Sequence, residues 1–258
     1  MRVAGSLLLL AWFVLLGTGC ASWSNYDETA NWDASQFYNA AKEALNDGEY
    51  EKALKLYSKL EARFPYGRYT EQAQLETPYA HYKAGEPAAA IAAAERFIKL
   101  HPRSPNVDYA YYMRGLASFE PGKNFLERFF PQDSAERDPT AAHDAFRYFN
   151  ELVQRFPDSK YAADARQRML YLRNNLARYE VQVADYYLRR GAYLAAANRG
   201  KYVLENYERT PSVPDALVIM VKAYRLMQEN KLAEDAERVL AQNYPDRAAQ
   251  LIREKLKQ

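Results

Sequence analysis

The feature that most constrains this chain is a helical pattern that recurs with constant internal spacing. The same distance separates Gly48 from Pro65 and Gly85 from Pro102. Small and apolar residues occupy matching positions in between, namely Ala53 and Leu60 in the first segment and Ala90 and Phe97 in the second. Glycine accepts the turn geometry after one helix, alanine lets two helices approach closely, and proline prevents the second helix from continuing. Each segment is therefore predicted to be a helical hairpin.

Three further segments extend the pattern. The third closes with Ala145, Phe149, Leu152 and Phe156–Pro157, after an opening helix near Asp108 to Ser118. The fourth contains Ala184, Gly191, Tyr193 and Ala196 and is predicted to end at Thr210–Pro211. The fifth runs from Pro214 to Pro245 with Asn230 in the glycine position, and an extra helix is predicted at about Tyr161 to Ala177.

A single hairpin cannot bury its apolar face, so units of this kind stack into a curved rod whose concave surface holds peptides or partner domains. We predict an all-α tetratricopeptide-repeat superhelix of about five hairpins; the alternative is a non-repetitive helical bundle. The predicted parts are a signal peptide at 1–19, a lipidated flexible tether at 20–33, a first pair of repeats at 34–105, a third repeat at 106–160 with an insertion at 119–138, and C-terminal repeats at 161–258.

The N-terminus has the pattern of a bacterial lipoprotein signal. One positive charge at Arg2 precedes an apolar run that ends in small residues and Cys20, which is the only cysteine of the chain. The small residues before Cys20 resemble a lipobox, although Gly17 replaces the usual leucine. We expect Cys20 to carry acyl chains, including palmitate, and Ala21 favours the outer membrane; the alternative is an ordinary signal peptide with an incidental cysteine.

Composition excludes several classes of function. The chain has 35 Lys and Arg against 33 Asp and Glu, so after loss of Arg2 the mature protein is nearly neutral and nucleic-acid binding is not expected. The three histidines, His81, His101 and His143, lie on different repeats without the spacing of a helical metal site. No phosphate-binding loop or nucleophile motif is present either. We therefore expect no cofactor, no metal and no enzymatic activity.

Aromatic residues are the candidate binding groups, because the chain has 22 tyrosines. Phe64, Tyr66 and Tyr69 flank a loop between repeats, and we predict that they line a groove for a substrate peptide. Tyr186 and Tyr187 point about 100° apart on one helix, so one of them is free to line a groove. The insertion carries Phe125, Leu126, Phe129 and Phe130; these residues either pack back on the rod or dock a partner.

From Asn39 to about Asn243 the chain resembles the BamD family, also called ComL or YfiO, of lipoproteins of the outer-membrane β-barrel assembly machinery. The segments that carry the resemblance are Arg63–Gly67, Arg96–Ile98, Asn106–Tyr109, Tyr112–Leu116, Arg137–Pro139 and Val183–Tyr187. The resemblance implies a lipid anchor in the outer membrane, a body facing the periplasm, and a role as a scaffold that helps to fold and insert β-barrel proteins.

The resemblance also implies partners. In this family the C-terminal repeats hold the barrel subunit BamA, accessory lipoproteins bind along the rod, and the N-terminal repeats recognise the C-terminal signal of unfolded barrel proteins. On this basis Arg199 is the predicted BamA contact, together with Tyr186 and Tyr187. The competing interpretation is a repeat lipoprotein that coordinates peptidoglycan synthesis or cell division. A periplasmic wall-degrading enzyme is a third, and it lacks any catalytic constellation.

Overall fold

The computed structural model describes residues 29–119 and 139–255, and regular secondary structure within these ranges is entirely α-helical. Its helices are α1 (Ala34–Asn46), α2 (Tyr50–Arg63), α3 (Arg68–Lys83), α4 (Pro87–Leu100), α5 (Val107–Phe119), α6 (Thr140–Arg155), α7 (Ala162–Arg189), α8 (Tyr193–Asn206), α9 (Val213–Leu226), α10 (Asn230–Asn243) and α11 (Pro245–Lys255).

Successive helices pair into five hairpins, and α11 packs against the last of them. Each helix contacts the next one along the chain, so the hairpins are stacked in sequence order. The first helices of neighbouring hairpins also touch, because α1 contacts α3, α3 contacts α5, and α7 contacts α9. This arrangement confirms the predicted superhelix of tetratricopeptide-repeat type and places the first helices of the hairpins along a shared surface.

The core runs along the rod and has alanine at the helix crossings. Ala41 of α1 and Ala53 of α2 are fully buried in the first cluster, as the sequence pattern predicts. Ala90 and Phe97 are fully buried at the matching positions of the second hairpin. Because an alanine side chain is only a methyl group, the helix backbones approach closely, and larger residues such as Phe97 fill the space on either side. Complete burial of one such large side chain contributes about 1.5–3 kcal/mol.

The turn after α1 explains the recurring glycine. The Glu49 N–H donates to the Ala44 carbonyl (2.8 Å) and the Gly48 N–H donates to the Leu45 carbonyl (3.3 Å), which is the pattern of a Schellman motif. Gly48 has a φ of 81°, a left-handed conformation that costs glycine little and other residues more.

The prediction that Asn230 occupies the glycine position of the fifth hairpin is wrong. Asn230 is the first residue of α10, and the turn residue is Gln228, with a φ of 63°. The Glu229 N–H donates to the Tyr224 carbonyl (2.9 Å) and the Gln228 N–H to the Arg225 carbonyl (3.0 Å), as in the glycine turns. The hydrogen-bond pattern of the turn is therefore kept although its residue is not glycine.

Two predicted helix boundaries are also wrong. The helix predicted at about Tyr161 to Ala177 is not separate, because α7 is one helix of 28 residues that also forms the first half of the fourth hairpin. No glycine or proline interrupts it. The fourth hairpin does not end at Thr210–Pro211, because α8 stops at Asn206. Tyr207 is the C-cap residue; its N–H donates to the Val203 carbonyl (2.9 Å), and its side chain is buried.

The described chain begins with a segment held against the first hairpin. Lys59 donates to the Thr29 hydroxyl (3.1 Å), and Arg63 donates to the carbonyl groups of Thr29 and Ala30. Asp33 caps α1 in a capping box with Gln36. The predicted signal peptide, Cys20 and the insertion residues Phe125, Phe129 and Phe130 lie outside the described residues. None of the described helices is long and apolar enough to cross a membrane.

We predict that Gly115→Ala destabilises the third hairpin. A Cβ at Gly115 would lie 2.6 Å from the Phe149 ring, and Phe149 is fully buried. Overpacking of this kind costs about 1–3 kcal/mol, measurable as a lower midpoint of thermal unfolding by circular dichroism. The double variant Gly115→Ala/Phe149→Leu should lose less than the sum of the single losses. Additive losses would contradict the close contact.

We also predict that Gln228→Gly raises the free energy of unfolding by about 1 kcal/mol, because it relieves a left-handed conformation. Gly191→Ala is the matched control. Gly191 has a φ of 78°, and an added Cβ would meet no neighbouring atom within 4 Å, so the stability lost in this variant reflects backbone conformation alone. Chemical denaturation should show opposite signs for the two variants, and equal signs would refute the common role of these two turns.

Candidate functional site

A groove of about 340 Å³ lies between the first helices of the first three hairpins and the start of the fourth hairpin. Helices α1, α3 and α5 supply most of its walls, and the residue before α7 closes one end. The lining residues are Lys42, Leu45, Asn46, Gln72, Leu75, Glu76, Tyr79, Asn106, Tyr109 and Tyr161. The groove therefore depends on the contacts of α1 with α3 and of α3 with α5.

Helix periodicity brings the polar residues of the groove together. On α3, Gln72, Glu76 and Tyr79 are separated by four and three residues, so they share one face of the helix. On α1, Lys42 and Asn46 are likewise four residues apart. Since α1 packs against α3, the two polar faces meet.

Glu76 is the centre of the hydrogen-bond network. Its Oε1 accepts from the Tyr38 hydroxyl (2.9 Å) and the Lys42 ammonium (2.8 Å), and its Oε2 accepts from the Tyr57 hydroxyl (2.6 Å). Burial, together with the adjacent Glu76 charge, raises the pKa of both tyrosines well above the ordinary value. Both hydroxyls therefore remain protonated donors near neutral pH, and the Glu76 carboxylate is held by three donors from α1 and α2.

A cluster of tyrosines forms the other end of the groove. The Tyr161 ring stacks on Tyr112 (4.8 Å between centroids) and lies 5.5 Å from Tyr109. The Tyr112 hydroxyl donates to Asp164 (2.8 Å), and burial and this hydrogen bond raise the pKa of Tyr112 to about 12. Burial also raises the pKa of Tyr109. These contacts fix the rings, so they offer a rigid aromatic surface.

The chemistry of the groove suits binding. Within the described part of the chain, Lys42 and Glu76 are the only charged residues that line the groove, and they pair with each other. Amide side chains and tyrosine hydroxyls make up the other polar groups. Across the described ranges, no three His, Cys, Asp or Glu side chains are grouped so that they could hold a metal ion. The groove can accept hydrogen-bonding groups and apolar side chains of a ligand.

The three aromatic residues predicted to line a substrate groove differ in their burial and contacts. Phe64 packs against the first core cluster, with its ring 6.4 Å from Phe37. Tyr66 is 91% exposed. Tyr69 lies 5.6 Å from Tyr38, one turn before Gln72 on α3, so it adjoins the groove described above. None of the three predicted residues is among those that line the groove, and their role in substrate binding stays a prediction.

The residues predicted to contact BamA lie together on the fourth hairpin. Arg199 on α8 donates to Glu180 on α7 (2.8 Å), and this hydrogen bond raises the pKa of the Arg199 guanidinium. Glu180 is buried, with 8% of its side chain exposed, whereas 43% of the Arg199 side chain is exposed. Tyr186 is half exposed, and Tyr187 packs partly against the core around Ala184.

One sequence signal could have found the centre of the groove. Tyr69, Gln72, Glu76 and Tyr79 recur at intervals of three and four residues, which is the period of one helix face. This face therefore places an acid, an amide and two tyrosines side by side on α3. The contributions of Asn106 and Tyr161 could not be found in this way, because they lie far away in the sequence.

Comparison with known proteins identifies the family. The YfiO family, described as outer membrane lipoprotein, matches residues 30–239. A Neisseria gonorrhoeae protein named outer membrane protein assembly factor BamD is 45% identical over 243 residues, covering 93% of this chain and 91% of that protein. Proteins of the same name from Xylella fastidiosa (strain Temecula1) and Vibrio cholerae are each 37% identical; the matches cover 93% and 87% of this chain and 81% and 92% of those proteins. This chain therefore belongs to the YfiO family of outer membrane lipoproteins.

Proposed function

We propose that this chain is an outer membrane protein assembly factor, a non-enzymatic scaffold subunit of the β-barrel assembly (Bam) machinery. The observation that carries the proposal is that relatives 34–45% identical over almost the whole chain are named outer membrane protein assembly factor BamD. A stacked-hairpin rod supports it, since such rods present extended surfaces to other proteins. The same relatives give no support to a role in peptidoglycan synthesis or cell division.

The N-terminal half is the proposed binding region for unfolded β-barrel proteins. Its groove combines a rigid tyrosine cluster with hydrogen-bonding side chains, which suits a flexible chain that carries both apolar and main-chain polar groups. Tyr66 and Tyr69 extend this surface beyond the groove, since Tyr66 is exposed and Tyr69 lies on the same face of α3 as Gln72.

The fourth hairpin is the proposed contact for BamA. Tyr186 offers an exposed ring, and the neighbouring Tyr187 supports it edge-to-face at 5.8 Å. Arg199 keeps part of its guanidinium accessible while Glu180 fixes its position. Aromatic and arginine side chains held in this way are common energetic centres of protein interfaces. The insertion residues Phe125, Phe129 and Phe130 are the proposed docking point for a further partner, such as an accessory lipoprotein.

Acylated Cys20 is the proposed anchor in the outer membrane, with the rod on the periplasmic side. The contacts of Thr29 with Lys59 and Arg63 hold the chain against the first hairpin at Thr29, nine residues after Cys20. A fully extended segment of this length reaches at most about 30 Å. The N-terminal groove is therefore expected to stay close to the membrane.

We predict that Tyr186→Ala reduces recovery of BamA about fivefold or more when the acylated protein is purified in mild detergent. The midpoint of thermal unfolding should change little, because Tyr186 is half exposed and, unlike Tyr187, does not pack against the core around Ala184. Tyr202→Ala, another partly exposed tyrosine on the fourth hairpin, is the matched control. Full recovery of BamA with Tyr186→Ala would remove Tyr186 from the interface.

Arg199→Glu should both weaken this complex and lower the midpoint of thermal unfolding. The substitution places a second carboxylate beside buried Glu180, which then loses its counter-charge. The conservative variant Arg199→Lys should retain the fold. If Arg199→Lys loses the complex while its unfolding midpoint is unchanged, Arg199 belongs to the contact itself. If the complex of Arg199→Glu with BamA stays intact at raised salt, Arg199 is excluded from the contact.

For the substrate, we predict that Tyr66→Ala weakens cross-linking to an unfolded barrel protein and leaves the unfolding midpoint unchanged. Phe64→Ala should lower the midpoint, because Phe64 packs against Phe37 in the first core. Leu100→Ala, half exposed at the corresponding end of α4, is the control for a general loss of apolar surface. Equal cross-linking of Tyr66→Ala and the parent protein would exclude Tyr66 from substrate binding.

A further inference from the structure

Three amide side chains in the N-terminal groove are free to bind a ligand. Asn46 ends α1, Gln72 lies on α3, and Asn106 directly precedes α5. All three are exposed, and none of them makes a side-chain hydrogen bond to another residue in 29–119 or 139–255. Each comes from a different hairpin, so the amides lie along the stacking direction of the rod. These amides therefore place hydrogen-bond donors and acceptors from three hairpins along the groove.

The same groove offers no free positive charge. Lys42 is the only cation among its lining residues in the described chain, and it donates to Glu76 at 2.8 Å. Glu76 is fixed in turn by Tyr38 and Tyr57, so it cannot move aside easily. Lys160 lies against the Tyr161 ring, 5.0 Å from its centroid, and is not part of the lining. A ligand carboxylate in the groove would therefore have to compete with Glu76 for Lys42, since the lining residues of the described chain include no second cation.

We propose that this groove binds the main chain of an extended, uncharged peptide segment through Asn46, Gln72 and Asn106, and that it does not require a free C-terminal carboxylate. The inference rests on the proposed function and specifies the part of an unfolded barrel protein that the groove accepts. Internal strand segments of such a protein are then ligands as well as its C-terminal end.

The chemistry of an extended chain matches the row of amides. Each residue of a strand presents one N–H donor and one carbonyl acceptor, and a primary amide side chain supplies both complementary groups. Recognition through these groups does not depend on the ligand's sequence. Side chains of an extended segment alternate in direction, so those on one face can pack against the rings of Tyr79, Tyr109 and Tyr161. Strand-forming segments of barrel proteins alternate apolar and polar residues in the same way.

The test measures binding of a fluorescent peptide, copied from an internal strand of a porin, to the full-length protein in detergent. The peptide is prepared with an amidated C-terminus, with a free carboxylate, and with alternate peptide bonds N-methylated. We expect the amidated and free forms to have dissociation constants within twofold of each other. N-methylation should weaken binding tenfold or more, because it removes main-chain donors, and raised salt should have little effect.

The double variant Asn46→Ala/Asn106→Ala should weaken binding of the amidated peptide about tenfold and reduce the penalty of N-methylation, since only Gln72 of the three amides is left. Asn198→Ala, an exposed amide on α8 outside the groove, is the matched control and should bind as the parent protein does. Circular dichroism should show that the variants remain folded, because the substituted amides are exposed and make no side-chain hydrogen bond within the described ranges.

The outcomes separate this inference from the proposed function. A free-carboxylate peptide that binds more than tenfold tighter than its amidated form would overturn the main-chain mode and leave the proposed function standing. Unchanged peptide binding by Asn46→Ala/Asn106→Ala would likewise overturn the main-chain mode without contradicting the proposed function. Absence of binding by every peptide, with BamA still co-purifying, would remove the groove as a peptide site. Loss of BamA from the parent protein would contradict the proposed function itself.

Discussion

Close packing at the helix crossings is the constraint on which the rest of the structure depends. Ala41 and Ala53 in the first hairpin, and Ala184 and Ala196 in the fourth, are fully buried where two helices meet. A larger side chain at these points would push the hairpin open and separate it from its neighbour. Because no hairpin covers its own apolar face, each depends on the next, and the first helices of the hairpins are brought side by side.

This alignment has an electrostatic consequence in the N-terminal half. Helices α1 and α3 each carry a polar face, and a buried carboxylate at their junction would be costly without donors. Glu76 receives three, from Tyr38, Lys42 and Tyr57, so the network is satisfied and the charges cancel. Apart from Lys42, whose side chain is 41% exposed, the polar groups that remain open to a ligand are amides and tyrosines. Binding there is governed by hydrogen bonding and ring packing more than by long-range attraction.

The fourth hairpin also contains a buried carboxylate, but a single arginine neutralises it. Glu180 is buried on α7, and Arg199 on α8 neutralises it while leaving part of its own side chain exposed. The same residue therefore joins two helices and contributes to the surface, so its structural and binding roles are coupled. Tyr186 lacks this coupling because its ring lies largely outside the core. The two halves of the rod thus offer chemically different surfaces, one recessed and carrying amides and tyrosines, the other exposed and carrying an arginine.

The sequence by itself determined the hairpins, the buried alanines and the glycine turns, because these depend on residues close together in the chain. It did not reveal that Gln228 takes the left-handed turn or that α7 is continuous, since both follow from hydrogen bonding and packing of whole helices. Only the tertiary structure joined Lys42, Glu76, Asn106 and Tyr161 in one groove. These residues belong to different hairpins, and their proximity is decided by how the hairpins stack, which no local pattern records.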